Sequence, residues 1–213
     1  LKDKILKFEK KEFYSICDQL SRKDRGLHSI LLKHGYPPFW SRKPNFETLV
    51  HIILEQQVSL ASARAALVKL KNKIGSVTAR KILLLSDIEL RKCYFSRQKT
   101  SYVRDLAEFV FSKRIILGDL ASKSDQMIRG DLITVKGIGN WTVDIFLIMA
   151  LHRADIFPLG DLAAVKSLKK IKKLPVDTSN DKILSVSKSW RPFRSIATML
   201  LWHSYIQENN IKF

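Results

Sequence analysis

A chain of 213 residues, 46% of them hydrophobic, is long enough to bury a sizeable core as one large domain or two small lobes. Lysine and arginine number 38 against 20 aspartates and glutamates, and the formal charge of +18 points to a polyanionic partner, most commonly nucleic acid. The longest uninterrupted apolar run, Ile145 to Leu151, is too short to span a bilayer, and the Lys-rich amino terminus lacks the apolar core of a signal peptide, so neither a membrane partner nor secretion is expected. Two cysteines, Cys17 and Cys93, make no disulfide framework and fit a reducing, intracellular compartment. The chain starts at Leu1 without a methionine, so further native residues are expected ahead of it.

Taken in order, apolar side chains recur at helical spacing from about Phe8 to Leu20 and from about Arg25 to Lys33, and Gly35-Tyr36-Pro37-Pro38 ends the second stretch. A loop from Pro37 to Pro44 follows. Phe46, Leu49, Val50, Ile53 and Leu54 then fall at i, i+3, i+4, i+7 and i+8, one buried stripe of an amphipathic helix. Glu55-Gln56-Gln57-Val58-Ser59 interrupts it and reads as a polar turn, after which an alanine-rich helix runs from Leu60 to about Ile74. Three helical segments are expected between about Val77 and Ala121, with Ser76, Ser86 and Ser96 as amino-terminal caps. The basic residues Arg97 and Lys99 that open the last of these read as a solvated face. Neither repeats nor a Gly/Ser linker nor an alternating strand pattern is visible, so the fold class is all-α.

The stretch from Leu132 to Asp161 carries the chemistry. Gly137-Ile138-Gly139 lets the backbone turn where a side chain would clash, and so reads as a hairpin between two helices. The second helix opens at Asn140, and its first amides, at the positive end of the helix dipole, offer a docking point for a phosphate. A plain cap between two helices is the alternative reading of the glycines. The helix that follows is apolar nearly all round, with Asp144 its one ionisable residue; that carboxylate reads as a structural hydrogen-bonding group. Asp161 follows Pro158-Leu159-Gly160 and precedes a helix-like Leu162-Ala163-Ala164-Val165, so it can cap that helix whatever else it does. Lys166, Lys169, Lys170, Lys172 and Lys173 form the densest charge block, either a solvated face or a set of sequence-blind contacts to a nucleic-acid backbone.

Val135-Lys136-Gly137-Ile138-Gly139-Asn140-Trp141-Thr142, followed by Phe157-Pro158-Leu159-Gly160-Asp161, resembles the helix-hairpin-helix, Gly/Pro-rich loop and aspartate signature of the DNA base-excision glycosylases. Within that superfamily it looks most like the 3-methyladenine DNA glycosylase II group. Phe46 to Ala63 with its Gln-Gln-Val-Ser, and Trp190-Arg191-Pro192-Phe193-Arg194-Ser195, are similar to further segments of the same group. The resemblance implies a two-lobed helical bundle over residues 1–213, with the hairpin at about 127–151, a catalytic loop at 152–161 and the active-site cleft between the lobes. Only 45 residues precede Phe46, so the short form without the amino-terminal β-domain is expected.

What the group does becomes the expected function. It is hydrolysis of the N-glycosidic bond of alkylated bases of the 3-methyladenine and 7-methylguanine type in double-stranded DNA, leaving an abasic site for base-excision repair. A monomer is expected, acting in the cytoplasm at the nucleoid, or in the nucleus if the source is a eukaryote. Carried over position by position, Asp161 is the catalytic residue, and Trp141 and Trp202 wall the base pocket. Ile145 stands where the best-studied members have a pocket tyrosine, and Gln57, where they carry leucine, is the wedge pushed into the DNA stack. Lys136, Gly137, Gly139 and Thr142 contact the DNA backbone, and the main-chain carbonyls of Ile133, Val135 and Ile138 can hold an alkali-type ion.

The chemistry is consistent with these residue types. Cleavage of the glycosidic bond develops positive charge on the sugar, which a fixed carboxylate stabilises while it orients or deprotonates the attacking water. An alkylated base already carries positive charge and leaves without a general acid, so no cofactor is required. Aromatic faces hold the flipped, cationic base, although a tryptophan taken alone is more often core than pocket. Relatives that also cut the strand have a lysine where this chain has Trp141, so a monofunctional hydrolase is expected, and two thiols exclude the iron-sulfur cluster found in some relatives. The histidines at 28, 34, 51, 152 and 203 show no zinc spacing, and His51 with Glu55 reads as a chance helical pair. A non-catalytic helix-hairpin-helix protein that binds damaged DNA, and a glycosylase for mismatched or oxidised bases, remain as alternatives.

Overall fold

The computed structural model describes residues 5–211, and twelve α-helices are formed among them. They fall into two compact units. Unit 1 takes the described residues up to Ser41 and from Leu147 onward, and unit 2 takes Arg42–Phe146. Among the described residues strand structure is limited to one antiparallel bridge, Lys7 with Arg153, and none of the helices is long and apolar enough to cross a membrane.

Unit 2 is built on α3 (Phe46–Glu55), which the i, i+3, i+4 spacing places as the central helix. Phe46, Leu49, Val50, Ile52, Ile53 and Leu54 are all buried, and full burial of each such side chain contributes about 1.5–3 kcal/mol. Asn45 caps its start by accepting from the Thr48 amide at 3.0 Å. Against α3 pack α4 (Leu60–Ile74) through Ala63, Ala66, Leu67 and Leu70, and α7 (Arg97–Phe111) through Val103, Leu106 and Ala107. The short α5 (Ala79–Leu84) and α6 (Asp87–Lys92) pack on α7. Ser86 forms a full capping box with Glu89 and Ser96 caps α7 as expected, but α5 is capped by Thr78, not Ser76. Ser76 lies two residues too early and instead accepts from Lys81 Nζ at 3.1 Å. Leu117–Ser122 form a 3-10 helix, and α8 (Asp125–Ile133) leads into the hairpin.

The helix after the hairpin, α9 (Asn140–Met149), starts in unit 2, and its last residues belong to unit 1. It ends two residues short of the apolar run because the chain folds back, with Arg153 N donating to Leu147 O at 2.9 Å. In unit 1, α1 (Lys10–Lys23) buries Phe13, Ile16, Cys17 and Leu20 on one stripe against α2 (Arg25–His34) and α12 (Arg194–Glu208). α12 is buried without a break from Ser195 to Leu201, and α10 (Leu162–Ile171) and α11 (Asn180–Ser187) complete the unit. Among the described residues Trp190 is the largest fully buried side chain, and it sits in this core with Phe157.

Candidate active site

The hairpin of unit 2 depends on one glycine for two reasons. Gly137 has φ +83°, and a Cβ there would meet the Tyr102 ring at 2.1 Å, so both the backbone and the ring of α7 require its absence. Asp105, also on α7, accepts the Lys136 amide at 2.7 Å, while the Lys136 side chain is exposed. The first helical bond of α9 is Val143 N to Gly139 O at 3.2 Å, so the amides of Asn140 and Thr142 lie ahead of it, at the positive end of the helix. Arg129 of α8 fastens the far side, donating to Asn140 Oδ1 at 2.8 Å and to Asp144 Oδ1 at 2.5 Å. Asp144, 7% exposed, is therefore the buried half of an ion pair with the half-exposed Arg129 that joins the two hairpin helices.

The loop between α3 and α4 separates its two glutamines. Gln57 is exposed and takes a left-handed backbone, φ 58°, which non-glycine residues seldom adopt. Gln56 is half-buried and donates through Nε2 to Gly137 O and to Thr142 Oγ1, both at 2.9 Å. Lys99 of α7 donates to Leu54 O, fixing the end of α3 from which the loop springs, and burial holds its ammonium below the usual lysine range.

Two expectations change here. Thr142 is 1% exposed and its hydroxyl is bound to Gln56, so its side chain is engaged inside the unit and is not offered to a phosphate. Ile145 is 3% exposed and is core, because α9 is apolar all round and buried from Thr142 to Ile148. Trp141, in contrast, is half-buried at the second position of α9.

In unit 1, Asp161 caps α10, Oδ1 accepting from the Ala164 amide at 2.8 Å. The same oxygen accepts from Trp202 Nε1 at 3.0 Å, and the residue is 8% exposed. The loop bringing it there closes on itself through Asp161 N to Pro158 O at 2.8 Å. Beside Trp202 stands Trp40, ring centroids 6.3 Å apart and edge to face at 71°. Sequence reasoning left Trp40 inside an unassigned loop. Its signal was Phe39-Trp40, two large aromatics in succession where a solvated loop would carry polar residues.

The profile of the HhH-GPD superfamily of base excision DNA repair proteins matches residues 50–192. The chain belongs to this superfamily. The hairpin, the Gly/Pro loop and Asp161 all lie inside the matched span. DNA-3-methyladenine glycosylase 1 of Schizosaccharomyces pombe is 29% identical over 165 residues, 76% of this chain and 72% of that protein. Among solved structures, the 3-methyladenine DNA glycosylase of the same yeast in complex with abasic DNA superposes with a TM-score of 0.80 at 27% identity, covering 88% of this chain and 95% of that one. The DNA-3-methyladenine glycosidase of Bacillus halodurans superposes with a TM-score of 0.72 at 26% identity, covering 96% and 94%.

Within this superfamily member the lysine block is less available than its density suggests. Lys172 pairs with Asp24 at 2.6 Å, Lys170 with Glu208 at 2.8 Å, and Lys169 Nζ donates to Val176 O at 2.6 Å. Lys166 and Lys173 are exposed. Glu55 is held through both oxygens by Arg42 at 2.6 and 2.9 Å, with His51 Nε2 3.5 Å from its Oε1, and among the described residues no third His, Cys, Asp or Glu joins them in a group that could hold a metal ion.

Proposed function

We propose that the protein is a monofunctional glycosylase that hydrolyses the N-glycosidic bond of alkylated purines in double-stranded DNA. The relatives above are 3-methyladenine glycosylases, one of them solved on abasic DNA, the product such a reaction leaves. The observation that carries the reading is the Asp161 carboxylate, 8% exposed and held at Oδ1 by two N–H donors in a unit that also holds Trp40 and Trp202. A carboxylate fixed in this way needs no reorganisation as charge develops on the sugar.

The steps balance. The C1′–N bond breaks with its electron pair going to the base, which leaves neutral because alkylation had made it cationic. The oxocarbenium-like sugar is stabilised by Asp161, water adds to C1′, and its proton passes to the carboxylate. In unit 1, Trp40 and Trp202 supply faces for an electron-poor base, and cation–π attraction favours the charged lesion. In unit 2 the hairpin amides and the Lys136 side chain hold phosphate, and the exposed, left-handed Gln57 enters the gap the flipped nucleotide leaves. The carbonyls of Ile133, Val135 and Ile138 are hard donors suited to an alkali ion, and Val135 O accepts Ile138 N at 3.1 Å with one of its two lone pairs. Such an ion would steady the hairpin and takes no part in bond breaking.

The test is incubation with methylated duplex DNA and chromatography of the released bases. Free 3-methyladenine and 7-methylguanine, an intact strand until alkali is added, and no adduct on borohydride reduction are expected. A borohydride-trapped adduct would overturn the monofunctional reading, and release of no base would reduce the protein to a binder.

A further inference from the structure

We infer that Gln56 is a positioning residue that ties the exposed Gln57 tip to the hairpin, so that both engage DNA as one piece. The inference rests on the function proposed above. Gly137 O can only accept, so the nitrogen of the Gln56 amide must face it, and the two hydrogens of that nitrogen match its two acceptors at 2.9 Å. These acceptors lie on either side of the glycine turn, one at its start and one in the first turn of α9. Gln56 is also the residue at which α3 ends, its amide bonded to Ile53 O at 3.4 Å. One side chain therefore joins a helix end, the loop that carries Gln57, the glycine turn and the first turn of α9. Gln57 has a backbone conformation that costs energy in any non-glycine residue. The immediately preceding residue is the one anchored, which keeps the tip in that conformation before DNA arrives.

A double-mutant cycle tests it by binding to a duplex carrying an abasic-site analogue, with 2-aminopurine beside the gap as a stacking reporter. Gln56→Met removes the donor and keeps the bulk; Gln57→Ala removes the tip. Each is expected to weaken binding about tenfold, and the double variant no more than about twofold beyond the weaker single, since contacts that act through one another do not add. The 2-aminopurine signal should change in the same way for Gln56→Met and Gln57→Ala. Thr142→Val provides a second route to the same bond, and Thr142→Ser, which keeps the acceptor, should lose less than Thr142→Val. Losses that multiply to about a hundredfold, or a Gln56→Met protein that binds like the parent, would overturn the coupling while leaving the glycosylase reading standing. A parent protein that fails to bind the abasic duplex overturns both.

Discussion

The two ends of unit 1 where helices α2 and α10 begin have almost the same construction. Asp24 caps α2, accepts a tryptophan indole N–H (Trp190 Nε1, 2.6 Å) and is 6% exposed; Asp161 caps α10, accepts a tryptophan indole N–H (Trp202 Nε1, 3.0 Å) and is 8% exposed. They differ in where these donors sit. Asp24 divides its donors over both oxygens, and one of them is the Lys172 ammonium at 2.6 Å. Burial alone would raise its pKa, but Lys172 and Trp190 outweigh it and hold the carboxyl below the ordinary range. On Asp161 two neutral N–H groups converge on a single oxygen. Neither capping nor burial therefore marks a catalyst. What sets Asp161 apart is its place: it closes the Pro158-Leu159-Gly160-Asp161 loop inside residues 50–192, the span the superfamily profile matches, whereas Asp24 lies ahead of it.

The sharpest separation of the two is by matched asparagine variants, since asparagine caps a helix about as well as aspartate. Asp161→Asn should lower the single-turnover rate of base release by about 10²–10⁴-fold while the melting temperature moves little. Asp24→Asn should leave that rate within about twofold of the parent. If the Asp161 variant keeps more than a tenth of the parent rate, the contrast fails. A smaller effect separates the indoles. Trp202→Phe keeps an aromatic face but removes the N–H together with the five-membered half of the indole, so base release should slow about tenfold, with affinity for abasic DNA changed less than about twofold. Trp190→Phe should leave the rate alone and lower stability by about 1–2 kcal/mol. Equal slowing by both would mean that the Trp202 bond to Asp161 has no role in the reaction.

Where signals are local the sequence was sufficient. The apolar stripe of α3, the caps Ser86 and Ser96, and the glycine turn are each written within a few residues, and each is found where expected. The superfamily signature works for the same reason, since hairpin, loop and aspartate follow one another. What escaped is joined by contacts over long separations. Trp202 reaches Asp161 across 41 residues, Gln56 reaches Gly137 across 81, and Trp190 reaches Asp24 across 166. No periodicity encodes such pairs, so Trp40 stayed in a loop, Asp24 drew no attention, and Gln56 could not be told from Gln57. For Ile145 and Thr142, matching a motif position fixed where each lies on α9, but not which way its side chain is engaged.

The mildest test bears on base release least of all and takes Asp24 alone. Because its folded-state pKa lies below the ordinary 3.8, the unfolded chain binds the proton more tightly, and the stability this carboxylate contributes is complete above that value. It is lost as pH falls through the lower folded value. An asparagine side chain at this position would mimic the protonated form at every pH, so Asp24→Asn should cost about 1–3 kcal/mol at neutral pH, where a charged pair and a charged hydrogen bond are both removed. The gap should then close as the parent is acidified below the ordinary value. Urea unfolding midpoints of parent and variant, taken from about pH 6 down to about pH 2.5, measure it directly. A gap of constant size over that range would mean that Lys172 and Trp190 bind the shape of this side chain and not its charge.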